Sequence, residues 1–142
     1  MKKGNVLILA IAATALLGGS AWLYAKKTGG HEEKKTSLRI GVLLYRGDDT
    51  FIGTLRNSME QAAKDLNVEL RFLTPSEDNS AAEQAELLER EVTSAAPAIL
   101  LIPSDRETLG SAVSAAAGKT TLVTLETDMS AWGAAAAISA DH

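Results

Sequence analysis

The sequence predicts an α/β domain built on a parallel sheet of four to five strands with flanking helices, preceded by an apolar N-terminal helix. Two observations predict the domain. Short runs rich in branched apolar residues alternate with longer amphipathic segments at a pitch of roughly thirty residues, the rhythm of right-handed βαβ units. Clusters of Gly, Pro, Asn, Asp and Ser punctuate the changes from one kind of segment to the other. A third observation sets the N-terminus apart: Val6 to Ala25 is twenty residues long without a charge.

That run is flanked by Lys2 and Lys3 on one side and Lys26 and Lys27 on the other. At a rise of about 1.5 Å per residue it spans roughly the 30 Å hydrocarbon core of a bilayer. Residues 1–27 are therefore expected to be a signal peptide or a transmembrane anchor. Gly19-Ser20-Ala21 offers a small-residue cleavage site, whereas Trp22 and Tyr24 lie where an interfacial aromatic belt would sit. Either outcome implies export, with the globular part outside the cytoplasm. Residues 28–36, with Gly29-Gly30 and a Glu/Lys cluster, have the composition of a solvated linker, and His31 is expected to be exposed there.

The globular part, residues 37–142, begins with Leu38-Arg39-Ile40-Gly41-Val42-Leu43-Leu44, a strand suited to burial on both faces. A polar break follows, and Asp49 or Thr50 is placed to cap the next helix. In that helix Ile52, Leu55, Met59, Ala62 and Leu66 recur at spacings of three and four, with Asn67 as its stop. Val68 to Leu73 alternates apolar and charged residues and is expected nearer the sheet edge. After the turn-rich Thr74–Ser80, a second helix from Ala81 to about Ala95 is expected to turn Ala81, Ala85, Leu88 and Val92 inward.

Ala98 to Ile102 reads as a third strand ended by Pro103, and Ser104 or Asp105 as the cap of a third helix. That helix carries Leu109, Ala112, Val113 and Ala116 on one face and closes at Gly118. Thr121 to Leu125 is a fourth strand and Ala134 to Ile138 a short fifth. In open α/β sheets ligands bind beyond the carboxyl ends of the strands. The segments to inspect are therefore Tyr45–Phe51, Thr74–Ser80, Pro103–Arg106 and Glu126–Met129, each with at least one carboxylate.

Composition narrows the function. The chain has 142 residues, 46% of them hydrophobic and 23% charged, which is the balance of a globular domain and not of a disordered chain. Aromatics are 4%, so Ala, Leu, Val and Ile must build the core. There is no cysteine, which excludes disulfides, thiolate metal sites, a Cys nucleophile and a lipid-anchored Cys. Residues 1–35 carry six Lys against two Glu, whereas the rest carries 16 acidic and 8 basic side chains. An acidic globular part repels a phosphate backbone, so nucleic acid is not an expected partner. No Gly-x-Ser-x-Gly elbow, His-Glu-x-x-His pair or Gly-rich phosphate loop is present, and neither catalytic residues, a metal site nor a cofactor is expected.

Several stretches taken together carry a family resemblance. They are Ile40-Gly41-Val42, the Tyr-x-x-Asp-Asp-x-Phe run from Tyr45 to Phe51, the helix with Ala62-Ala63-Lys64, the Gln84–Leu88 segment, Ile99 to Asp105, Val123 to Asp128 and Ile138 to His142. In order and spacing they resemble the type 1 periplasmic binding proteins, above all the galactose and ribose binders. The likeness runs from about residue 37 to 142 and corresponds to the N-terminal lobe only.

The resemblance implies a Rossmann-like lobe of an exported or membrane-anchored solute-binding protein, serving an ABC transporter or a sensor. Its ligand would be a sugar or similar polyhydroxylated molecule. It assigns Asp49 as acceptor of sugar hydroxyls and Phe51 as the ring that covers a sugar's apolar face, with Asp105 and Glu126 as further rim candidates. Carboxylates suit that task because charge strengthens the hydrogen bonds they accept from hydroxyls. Each residue also has a plainer role: Asp49 and Asp105 as helix caps, Phe51 as a core contact, Glu126 and Asp128 as solvated charges.

The chain departs from the family's pattern in carrying Ile102-Pro103 where a polar group is common, and in having Glu126 in place of Asp with no Arg after it. It ends at His142, about where a family member crosses to its second lobe. Two other functions compete with ligand binding. One is a half-domain acting as an interaction or sensory module without ligand. The other, on the strength of Asp48-Asp49 and Ser104-Asp105, is a receiver-like phosphoacceptor holding Mg²⁺.

Overall fold

A computed structural model describes residues 37–47 and 49–139. The expected N-terminal anchor or signal segment (1–27), the linker (28–36), Asp48 and the last three residues lie outside the described part. Among the described residues no helix is long and apolar enough to cross a membrane.

Branched residues set out the strands and the spacing of apolar residues sets out the helices, in the alternating order the sequence predicts. Strand β1 (Leu38–Leu43) leads to helix α1 (Thr50–Leu66), β2 (Val68–Leu73), α2 (Ala81–Thr93), β3 (Ala98–Leu101), α3 (Arg106–Ala116) and β4 (Thr121–Leu125). A single 3₁₀ turn (Ser130–Trp132) then joins β4 to β5 (Ala136–Ile138). The strands form one sheet in the order β2-β1-β3-β4-β5, and every neighbouring pair is parallel. β2 is an edge strand, as its apolar–charged alternation predicts.

The two faces of the sheet are covered differently. Leu43, Ile99, Leu101 and Leu122 point to the face held by α2 and α3, where Leu88, Leu109, Val113 and Met129 complete the larger core. Val42, Leu44 and Ile102 point the other way, against Ile52, Leu55 and Met59 of α1. Alternation along each strand makes this division.

Two helices turn differently from the pattern read off their apolar residues. In α1, Ile52 and Ala63 are buried, Leu55 and Met59 pack on the core, and Ala62 and Leu66 are exposed, Leu66 at 72%. Near its C-terminal end only Ala63 is buried among the described residues, so the exposed Leu66 carries no core contact there. In α2 the fully inward residues are Gln84, Leu87, Leu88 and Glu91, while Ala81, Ala85 and Val92 are only partly buried. Two polar side chains take inward positions because each has a task that an alanine cannot perform. Glu91 reaches under β1 to pair with Arg71 at 3.0 Å, and Gly41 leaves the room: a Cβ there would stand 2.7 Å from Glu91 Oε2. The task of Gln84 lies at the opposite end of the strands.

Candidate binding site at the carboxyl edge of the sheet

All five strands point the same way, so the loops that follow them emerge along one edge. Asp49 and Phe51 follow β1, Asp105 follows its neighbour β3, and Glu126 follows β4. The strand spacing of about 4.8 Å sets these three loops side by side. No hydrogen bond or ion pair links Asp49, Asp105 and Glu126 to one another among the described residues.

Asp49 is the N-cap of α1 and does two jobs. The Phe51 amide donates to its Oδ1 at 2.7 Å, and Arg46 Nη1 donates to its Oδ2 at 3.1 Å. The Arg46 pair is partly solvated and contributes at most about 1 kcal/mol; its effect is to orient the carboxylate. Arg46 also lies 5.1 Å from the centre of the Tyr45 ring and donates to Asn79 Oδ1 at 3.4 Å. Two more bonds tie this loop to the one after β2: Asn79 N–H to the Tyr45 carbonyl at 2.7 Å, and Gly47 N–H to Asp78 Oδ1 at 3.3 Å. Phe51, in the first turn of α1, is 48% exposed and is absent from both core clusters. Its ring is not part of the core.

Asp105 caps α3. The Thr108 amide donates to its Oδ2 at 2.7 Å, and bonding from the Thr108 side chain and then its amide holds the carboxyl below the ordinary aspartate range. The loop that carries it is fixed from below by Gln84, whose side chain is buried completely. Gln84 Nε2 donates to the Ile102 carbonyl at 2.7 Å, and its Oε1 accepts from the Ser104 amide at 2.9 Å and the Ser104 hydroxyl at 3.0 Å.

Glu126 stands just beyond β4 with φ +68°, the left-handed region that a glutamate rarely adopts. Its amide donates to the Ile138 carbonyl at 2.8 Å, which binds the ends of β4 and β5 together. Its carboxylate is exposed, with no partner among the described residues. Two residues on, Asp128 Oδ1 accepts from the Ser130 amide at 2.8 Å, and that bond, with the charge of Arg106, holds its carboxyl below the usual range.

Each of the four residues named from the sequence thus lies on one edge, and two of them are also helix caps. Sequence reasoning passed over Arg46, Asn79 and Gln84. For Gln84 the one signal was its place beside Leu87 and Leu88 on the helix face that turns inward, a face it shares with the charged Glu91. Arg46 and Asn79 had none, because their pairing joins loops 33 residues apart. Among the described residues there is no cluster of three or more His, Asp or Glu side chains placed to hold a metal ion. A groove of about 350 Å³ also exists between α2 and α3, floored by Leu88, Val92, Ala112 and Ala116, but no rim loop contributes to it.

The arrangement offers oxygen acceptors, an oriented guanidinium and an exposed ring on one open shelf. Such a shelf can bind a small molecule that carries hydroxyls on its edge and C–H on its faces.

Comparison with known proteins bears on the fold and family. No curated protein sequence matches the chain. Among solved structures it is similar to the solute-binding protein of a carbohydrate transporter from Agrobacterium radiobacter, in complex with D-arabinose. There the identity is 18% and the TM-score 0.70, over 76% of this chain and 37% of that one. It is also similar to an ABC transporter solute-binding protein from Mycobacterium smegmatis with bound glycerol, at 19% identity and TM-score 0.62, covering 71% of this chain and 34% of the other. A third, from Agrobacterium vitis and bound with α-D-tagatopyranose, has 24% identity and TM-score 0.60, with coverage of 64% and 30%. At these identities the likeness establishes the fold, and the chain spans about a third of the length of each of these proteins. A family model described as a periplasmic binding protein domain matches residues 40–142, so the chain belongs to that family.

Proposed function

We propose that the domain of residues 37–142 is an extracytoplasmic solute-binding lobe for a sugar or a similar polyhydroxylated small molecule, without enzymatic activity. In this account residues 1–27 deliver or anchor it, residues 28–36 link it, and it serves an ABC transporter or a sensor. The observation that carries the proposal is the β1–α1 loop. Asp49, oriented by Arg46, and the half-exposed Phe51 stand two residues apart on the carboxyl edge. A carboxylate beside a ring matches the two surfaces of a sugar, its hydroxyl edge and its C–H face. Asp105 and Glu126 extend the shelf. The sugar and glycerol complexes among similar structures support the ligand class.

On the described residues alone the shelf is open to water, where hydrogen bonds gain less than in a closed cleft. Weak binding, on the order of millimolar, is therefore expected. The test is the melting temperature of the chain in a panel of pentoses, hexoses, polyols and amino acids at high concentration, since a ligand that binds only the folded form raises it. A rise with one or more sugars that is lost in D49A supports the proposal. A rise with amino acids alone would redirect the ligand class, and no response at any concentration would remove it.

A further inference from the structure

The connection from β4 to β5 is unlike the other crossovers, because no full helix spans it. Glu126–Asp128 form the rim turn, and the chain then runs back along α3. Met129 is fully buried in the larger core, its carbonyl accepting from Trp132 N–H at 3.0 Å and Ala134 N–H at 3.3 Å. Trp132 lays its indole on α3 at Gly110, where any Cβ would overlap the ring at Nε1. Arg106, in the first turn of α3, covers the ring with its guanidinium 4.7 Å from the ring centre. The charge of the same Arg106 also acts on Asp128 across the rim turn. At the far end Gly133, at φ +98°, passes so near α3 that a Cβ would stand 2.7 Å from that of Ala117.

A loop without its own helix must borrow order from a neighbour. Here α3 lends it, through a ring seated where the helix has no side chain and capped by a cation one turn earlier. We infer that Trp132, gripped by Gly110 and Arg106, is the positioning residue of the β4 rim. It fixes Glu126 and Asp128 relative to Asp105, which caps the same helix. The role presupposes that the rim binds ligand, but the lock itself is measurable without one.

Two rim amides with comparable backbone bonds provide the test: Glu126 N–H to Ile138 O at 2.8 Å, and Asn79 N–H to Tyr45 O at 2.7 Å. Hydrogen exchange is measured at both in the full chain and in W132A and W132F. In W132A the Glu126 amide should exchange roughly tenfold faster or more while Asn79 changes little, since openings of separate segments have separate free energies. W132F, which keeps an aromatic ring over Gly110, should restore most of the protection. An unchanged Glu126 amide, or an equal acceleration at Asn79, overturns the inference.

If W132A does not fold, Arg106→Met decides, since it keeps the ring and Gly110. Faster exchange at Glu126 with a rise in the Asp128 carboxyl pKa supports the lock, and neither change overturns it. D-Arabinose titrated into the parent chain answers the separate question. Absence of any rim response there would dismiss D-arabinose as the ligand, whereas the comparison of Glu126 with Asn79 would still decide the role of Trp132.

Discussion

Replacing Gln84 tests how the shelf is built. The side chain is fully buried and makes three hydrogen bonds, to Ile102 O, Ser104 N and Ser104 Oγ. Gln84→Met keeps the length and volume but removes both polar atoms. The buried Ile102 carbonyl and the partly buried Ser104 amide then lose their partner beneath the loop, at about 1–3 kcal/mol for a buried group left unsatisfied and toward the low end for the partly buried one. The Ser104 hydroxyl can rotate to water and adds little. The expected loss is about 3 kcal/mol, equivalent to a fall in melting temperature of roughly 12–24 °C for a domain of this size.

Urea unfolding measures it directly, with the midpoint falling while the m-value stays constant. Gln84→Glu separates the two halves of the bridge. It keeps an acceptor for Ser104 but sets a carboxylate against the Ile102 carbonyl, so it should be at least as damaging as Met. A loss below about 1 kcal/mol for Gln84→Met would refute the reasoning, because it would mean that neither backbone group depends on Gln84.

Three further outcomes follow from the same geometry. Asp49→Ala removes the α1 cap and should cost about 1 kcal/mol while abolishing the sugar-dependent rise in melting temperature; Phe51→Ala should abolish that rise at little stability cost, because the ring is half exposed. Gly41→Ala drives a Cβ against Glu91 and should cost about 1–3 kcal/mol. In an Glu91→Ala background the same change should cost clearly less, a coupling that a double-mutant cycle on urea midpoints measures. Glu83, Asp105 and Asp128 all have folded pKa values below the ordinary carboxylate value, lowered chiefly by hydrogen bonds from Ser76, Thr108 and Ser130 respectively. The stabilisation they give is present above about pH 4 and is lost as pH falls through the lowered folded values. Melting curves between neutral and strongly acid pH should show that decline, and Asp105→Asn should make it shallower while still capping α3.

The fold was legible because its signals are local. Branched runs such as Ala98–Ile102 and amphipathic stretches such as Leu109–Ala116 carry their own period, and Asn67 marks its helix end with a left-handed residue, φ 54°. The parallel arrangement follows from alternation alone. The facing of α2 was not legible in its alanines, because Gln84 and Glu91 are drawn inward by partners on β2 and the β3 loop, and by the room at Gly41, that periodicity does not represent. The rim was legible in outline for a topological reason, since every loop after a parallel strand emerges on one edge. The organisation within the rim was not. Arg46 meets Asn79, and Trp132 meets Gly110 and Arg106, only because folding brings distant segments together, and no spacing within the sequence records such pairs. By its position Phe51 could equally have been a core contact, a reading that its exposure excludes.

The carboxyl edge as a sugar-binding shelf is tested most directly by amide chemical shifts of the full chain during titration with D-arabinose, D-tagatose and glycerol. The account predicts saturable shifts from at least one of them, concentrated at Asp49, Phe51, Asp105 and Glu126 and absent from the groove between α2 and α3. Shifts confined to that groove, or no saturable shift with any of the three at molar concentration, would contradict it.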